Sequence, residues 1–245
     1  MDAQFRGEYA TAENIWRKLA DDGDSLSQYF LAVSYYHGNS GIRNYKEAAK
    51  YFLLAANHGE HLAQSYLARM YWEGDGVLQN YAAAVKWARL GIVDSSSQLL
   101  LGLAYANGQG VAQDYSLAMY WFRRASELDD SEPNFQIGEL YAAGKGVKQN
   151  FAEAAKWYTK AADQWGDPKA KIKLGNYCRN GIGLQKDNTR AYLWYTLASE
   201  NPLDHKLATL AAEELELVLR QMTPNEITQG QLLVEEWYRV NSALE

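Results

Sequence analysis

Residues 98–107 are dominated by apolar side chains, with Leu99, Leu100, Leu101, Leu103, Ala104 and Tyr105 recurring at spacings of three and four. That period predicts a helix. Gly108 stops it as a C-terminal cap in left-handed backbone, Gly110 permits a sharp turn, and Val111 stands as a lone apolar plug in the loop. Asp114 is placed to cap a second helix. That helix is predicted over residues 115–127, with Ala118, Trp121, Phe122 and Ala125 on one face.

The same hairpin pattern recurs along the chain. Tyr105-Ala106-Asn107-Gly108-Gln109-Gly110-Val111 is echoed by Tyr71-Trp72-Glu73-Gly74-Asp75-Gly76-Val77 and Tyr141-Ala142-Ala143-Gly144-Lys145-Gly146-Val147. A degenerate copy is Cys178-Arg179-Asn180-Gly181-Ile182-Gly183-Leu184, and a looser one begins Tyr35-Tyr36-His37-Gly38. Successive copies are offset by 36, 34, 36 and 37 residues. Asn44, Asn80, Asn150 and Asp187 fall at the position of the Asp114 cap. The second helices share a slot filled by Trp16, Tyr51, Trp87, Trp121, Trp157 and Trp194. Three residues earlier stand Ala48, Ala84, Ala118, Ala154 and Ala191, with Glu13 as the exception. A small residue lets helices approach and the ring fills the space beside it, so the tryptophan ladder is read as packing. A self-similar period of this size means a solenoid, and solenoids mostly present binding surfaces.

The copies also differ. The first loop reads Gly38-Asn39-Ser40-Gly41-Ile42, with Ser40 in the second glycine slot. Cys178 takes the tyrosine slot and is expected to be buried and inert. The 34-residue offset predicts a tighter turn near residues 93–96, and one residue is inserted around Gln164-Trp165-Gly166-Asp167. After Pro202 the pattern ends. Residues 207–221 read as a long helix. Thr223-Pro224-Asn225-Glu226 reads as a capping box with proline at the first helical position. The helix it opens is expected to run to about Asn241, using Ile227, Leu232, Leu233, Trp237 and Val240 as apolar contacts.

Charge narrows the partner class. The net charge is −6, and the part from Asp204 onward carries eight acidic against three basic residues. The repeats are therefore near −1 and the tail near −5, and the absence of a basic stripe argues against nucleic acid. A single cysteine forbids an intrachain disulfide, and no apolar run approaches the ~20 residues of a membrane span. Met1-Asp2-Ala3-Gln4-Phe5-Arg6 is not a signal peptide. The chain nevertheless opens inside a repeat and closes on Leu244-Glu245, a common scar of tag cloning. A removed leader stays open, and either a periplasmic or a cytoplasmic location is compatible with the sequence.

The residues from Leu101-Gly102 to Asp114 with Ala118 to Ala125, and those from Ile137-Gly138 to Asn150 with Ala154-Ala155-Lys156-Trp157-Tyr158-Thr159-Lys160-Ala161-Ala162, resemble the Sel1-like repeat. That resemblance implies an all-α, tetratricopeptide-related α/α superhelical solenoid of about five helix-hairpin repeats. We expect a solenoid over residues 1–203, made of a half repeat at 8–23 and repeats at 24–59, 60–94, 95–130, 131–166 and 167–203. An acidic two-helix cap follows at 204–245, since an array needs a polar outer end.

Catalytic and metal chemistry find little support. His58 and His61 are three apart without a third ligand. Gly-x-Gly follows a helix and not a strand, which removes a dinucleotide loop. No nucleophile elbow or His-Glu-x-x-His is present. The β-lactam-binding members of the family carry a cysteine pair in each repeat, which this chain lacks. We expect no enzyme and no cofactor.

The resemblance implies that the first helices line a concave face. The slots at −5, −2, +1 and +2 from the tyrosine are then expected to face outward. They hold aromatic and aliphatic groups in the early repeats and polar ones later. The candidate partner-binding residues are Phe30, Tyr36, Tyr66, Arg69, Trp72, Leu100, Glu139, Lys173 and Arg179. Val33 and Leu103 share these slots and are the ones most expected to pack inside. Aromatic residues with arginine are the usual anchors of an interface. The resemblance implies a bacterial protein–protein scaffold or adaptor that binds a protein or peptide. An immunity protein that neutralises a secreted enzyme such as a phospholipase effector is the alternative.

Overall fold

The computed structural model describes residues 3–41, 43–128, 131–202 and 204–241, with the side chains of residues 3–7, 131, 164 and 165 left aside. Ile42, the apolar residue of the first loop, and the terminal Leu244-Glu245 lie outside the described residues. The described residues form 13 α-helices and no β-strand. The chain divides into two compact units, Met1–Leu128 and Asp129–Glu245.

The first unit holds α1 (Ala3–Asp21) and three hairpins. These are α2 (Ser25–His37) with α3 (Tyr45–Asn57), α4 (His61–Glu73) with α5 (Tyr81–Leu90), and α6 (Ser95–Asn107) with α7 (Tyr115–Glu127). The second unit holds α8 (Ser131–Ala143) with α9 (Phe151–Trp165), α10 (Pro168–Asn180) with α11 (Asn188–Ser199), and then α12 (His205–Leu219) and α13 (Pro224–Asn241).

Each hairpin closes by the same local chemistry. Gly38, Gly74, Gly108 and Gly181 cap first helices in left-handed backbone, a conformation that glycine alone adopts freely. The carbonyl of the tyrosine slot then accepts the N–H of the residue capping the second helix. Asn80 donates to Tyr71 at 2.8 Å, Asp114 to Tyr105 at 2.9 Å and Asp187 to Cys178 at 2.8 Å. This is a backbone role, so cysteine can fill the slot. The cap side chains of Asn44, Asn80, Asp114, Asn150 and Asp187 all accept from the first turn of their helices. Gly110 lies so close to the start of α5 that a Cβ would overlap the Tyr81 backbone. The second glycines Gly76, Gly110 and Gly183 therefore seat their loops on the second helix of the preceding repeat.

The core of each hairpin lies one residue beyond the tryptophan slot. Phe52, Phe122, Tyr158 and Tyr195 are fully buried, whereas Trp16, Trp121, Trp157 and Trp194 are only half-buried. Tyr51 and Trp87 are the buried members of the tryptophan slot. Phe122, Tyr158 and Tyr195 press on Gly102, Gly138 and Gly175 of their partner helices. In the second repeat two fully buried alanines, Ala68 and Ala88, fill those two slots. The alanine slot behaves as expected: Ala48, Ala84, Ala118, Ala154 and Ala191 are fully buried. Glu13, the exception, is buried and accepts the Ser34 hydroxyl at 2.5 Å.

A further ladder runs through the first turns. Gln28 Nε2 donates to the Ala20 carbonyl at 3.2 Å, Gln64 to Ala56 at 3.1 Å and Gln98 to Ile92 at 2.8 Å. These bonds tie α2 and α4 to the ends of α1 and α3, and α6 to the turn that follows α5. In the second unit Asn134 and Lys171 occupy the slot, both buried.

The tight turn of the 34-residue repeat falls earlier than expected. α5 has ten residues and ends at Gly91, which is packed against Ser65, so the turn spans 91–94. The inserted residue lengthens α9 instead, which runs 15 residues to a left-handed Gly166. α12 and α13 both rest on α11 rather than on each other. Gly230 is the buried contact of α13, with the Tyr192 ring against it. Leu232 and Val240 are exposed, at 58% and 55%, and not the apolar contacts expected of them.

Candidate protein-binding surface

Within the first unit, Tyr66 of α4 is the centre of an aromatic cluster. Its ring stacks on Phe52 of α3 at 4.6 Å and meets Tyr36 of α2 edge-on at 5.3 Å. Tyr29 stands 6.3 Å away, and His37 Nε2 lies 3.3 Å from the Tyr66 hydroxyl. Arg69, one turn along α4, places its guanidinium 5.0 Å from the Tyr36 ring centre and 5.3 Å from that of Tyr66. Its Nε is buried without a hydrogen-bond partner, and it joins no ion pair among the described residues.

Two cavities flank Arg69. One of about 220 Å³ is lined by Tyr29, Leu62, Ser65, Tyr66, Arg69, Asp94 and Ser96. The other, about 210 Å³, is lined by Ser65, Arg69, Trp72, Glu73, Ser96, Leu99, Leu100 and Leu103. Each is smaller than the roughly 300–1,000 Å³ of a small-molecule site. Their size suits side chains of a polypeptide better than a cofactor.

The electrostatics follow from burial. Burial lowers the His37 pKa, with Arg69 and Arg43 adding to the effect, so the imidazole is neutral at pH 7. Burial raises Tyr36 against the opposing pull of Arg69. The Glu73 carboxyl is likewise raised by burial, again opposed by Arg69.

The candidate residues do not form one set. Tyr36, Tyr66 and Arg69 come together, and Trp72 joins them through the second cavity. Tyr36 and Leu100 are buried, at 8% and 7% exposed, so neither faces outward as expected. Both support the surface from beneath. Val33 packs on the core and Leu103 is half-buried. Phe30 is exposed, stacks on Trp16 at 5.5 Å and lies 5.4 Å from the Tyr29 ring, but lines neither cavity.

In the second unit the polar candidates already have internal partners. Glu139 accepts the Tyr158 hydroxyl and pairs with Lys173 Nζ at 2.8 Å. Arg179 pairs with Glu214 of α12. Cys178 is buried, and burial pushes its pKa up to about 11, so it is a thiol at neutral pH and no nucleophile. Among the described residues no three His, Cys, Asp or Glu side chains could hold a metal together, and no helix is long and apolar enough to cross a membrane.

The residues missed from sequence are Tyr29, Ser65 and Leu99, which line the cavities from the −6 slot, and Leu62, Asp94 and Ser96 from the helix starts. The signal was present: the −6 slot lies four residues before −2, and positions four apart share a helix face.

The Sel1 repeat family model matches residues 25–60, 61–92, 95–130, 134–164 and 168–202, together more than half of the chain. Among solved structures, a protective antigen of uropathogenic Escherichia coli with an SLR fold is 24% identical with a TM-score of 0.71. The match covers 95% of this chain and 56% of that one. A Sel1 repeat protein from Oxalobacter formigenes is 29% identical with a TM-score of 0.68, covering 83% of this chain and 58% of that one. A putative Sel1 repeat protein from Klebsiella pneumoniae is 18% identical with a TM-score of 0.53, covering 84% and 99%. The chain thus spans little more than half the length of the first two structures. No curated protein matches it. The chain belongs to the Sel1 repeat family.

Proposed function

We propose that this protein is a non-enzymatic scaffold that holds a protein partner on the first unit, at the cavities on either side of Arg69. Sel1 repeat proteins typically mediate protein–protein interaction and are generally non-enzymatic scaffolds. One contrast carries the choice of surface. The polar candidates of the second unit are paired with one another or with α12. Arg69 has aromatic neighbours and no acid within ion-pair distance. Arginine set among aromatic groups at a partly open, apolar-lined depression is the composition of an interface hot spot.

Photocrosslinking in the native host tests the reading. A benzophenone amino acid replaces Leu62 or Ser96 on the rim, or the exposed Leu217 on α12 of the second unit. Protein adducts are expected at 62 and 96 and not at 217. Adducts at 217 alone, or equally at all three positions, would overturn the assignment of this surface.

A further inference from the structure

We infer that the partner inserts an acidic side chain, the carboxylate of an aspartate or glutamate, between the two cavities to pair with Arg69. The inference rests on the surface proposed above and adds the chemistry of what fills it.

The repeat itself provides the comparison. The −2 slot of the first helices holds Val33, Arg69, Leu103, Glu139 and Asn176. In the second unit each polar occupant is answered by a tyrosine hydroxyl from its own hairpin: Tyr158 donates to Glu139, and Tyr195 donates to Asn176 at 2.9 Å. The equivalent position in the hairpin of Arg69 is Ala88, which has no polar group. Arg69 is therefore the −2 polar residue whose hairpin supplies no partner.

The Arg69 guanidinium carbon lies over the rings of Tyr36 and Tyr66, and the side chain lines both cavities. Its N–H donors project in the plane, where a carboxylate takes two parallel hydrogen bonds. Ser96, in the first turn of α6, lines both cavities beside Arg69, and a helix start adds partial positive charge. The two acids that line the cavities, Asp94 and Glu73, are otherwise placed. Asp94 accepts the Ser97 N–H at 3.3 Å as the α6 cap. Glu73 follows Arg69 by one turn, the less favourable order for a helical pair, and forms no ion pair with it. A buried donor without an acceptor is costly until something answers it. The surrounding Leu62, Leu99 and Trp72 would cover the aliphatic stem of the incoming residue.

Short random peptides displayed on phage and selected on the full chain provide the test. Selected peptides are remade with each Glu or Asp changed to Gln or Asn, and measured against the parent protein, Arg69→Gln and Ser96→Trp. Ser96→Trp obstructs the cavities without altering charge. The expected result is acidic peptides that lose about tenfold to a hundredfold in affinity on Arg69→Gln, on the matching amide change, and on Ser96→Trp. Peptides blocked by Ser96→Trp but indifferent to Arg69→Gln and to the amide change would overturn the carboxylate while leaving the surface standing. Peptides indifferent to Ser96→Trp, or no selected peptide at all, would overturn both. Thermal melts of each variant identify any loss that is merely unfolding, and the amide change in the peptide needs no altered protein.

Discussion

Gly138 of α8 lies directly under the ring of Tyr158 on α9: a Cβ built on the glycine would stand 2.5 Å from the ring edge. The ring cannot withdraw easily, because its hydroxyl is held by Glu139 and its other edge meets Tyr177 at 5.6 Å. In an open helix Gly→Ala gains up to about 1 kcal/mol. Here overpacking, typically about 1–3 kcal/mol, opposes that gain and wins. Gly138→Ala should lower the denaturation midpoint. An unchanged or raised midpoint would show that the hairpin opens without strain.

Lys171 occupies the slot where Gln28, Gln64 and Gln98 tie first helices to the preceding helix end or the turn that follows it. Burial holds its ammonium below its ordinary value of 10.5, against the pull of Asp163, Asp167 and Glu200. A lysine less readily charged in the fold than in the unfolded chain weakens the fold at neutral pH. That penalty fades as the pH climbs from the depressed value toward 10.5. Lys171→Gln should therefore stabilise by about 1 kcal/mol at pH 7, raising the Tm by a few degrees. The advantage should shrink as the pH approaches 10.5. A destabilised variant would mean the ammonium is well satisfied where it is.

The buried phenols act in the opposite direction. Tyr158 is raised far above its ordinary value of 10.0 by burial first and the Glu139 hydrogen bond second. Tyr195 is raised chiefly by burial. A raised phenol contributes its full stability below pH 10 and loses it as the pH rises toward the folded value. The parent protein should weaken steeply above pH 10. Tyr158→Phe should lose about 1 kcal/mol at pH 8, because Lys173 still answers Glu139. Its deficit should narrow or reverse above pH 10. Urea midpoints at pH 8 and 10.5 measure this, and a constant deficit would refute it.

Arg179 and Glu214 pair with side chains only 18% and 22% exposed, joining α10 to α12. Removing one partner leaves the other charge poorly hydrated, so Glu214→Ala should destabilise by about 2 kcal/mol. Glu216→Ala, whose Arg220 pair is 73% exposed on both sides, should change stability by less than about 0.5 kcal/mol. Equal effects would mean the Arg179 pair is no better shielded than a surface one.

The binding surface calls for a different choice of variants than sequence alone recommends. Tyr66 and Trp72 are the obvious pair to truncate. Yet Tyr66 stacks on fully buried Phe52, and Trp72 packs edge-on against Tyr81 at 4.9 Å. Tyr66→Ala with Trp72→Ala should lower the Tm by several degrees whatever it does to binding. Leu62, 46% exposed on the rim, reports on binding with little effect on folding.

Local chemistry made most of the fold legible. The helix starts at Tyr45, Tyr81, Tyr115, Phe151 and Asn188, the left-handed glycine caps and the Thr223–Glu226 capping box depend on residues within a turn of one another. Such contacts are written in the order of the chain. The α/α repeat follows from them, because an amphipathic hairpin repeated at a fixed period has its own copies to pack on.

Tertiary structure decided what a period cannot express. It placed the buried ring one residue past the tryptophans, since the distance between paired helices selects which of two adjacent side chains points into the seam. It hid Tyr36 and Leu100, left Leu232 and Val240 in solvent, and gave Glu139, Lys173 and Arg179 partners 35 or fewer residues away. It also left Arg69 with aromatic neighbours and no acceptor for its buried Nε. Equivalent slots look alike in sequence, but whether a polar group is satisfied depends on the residue that meets it from another helix, and for Arg69 that residue is an alanine.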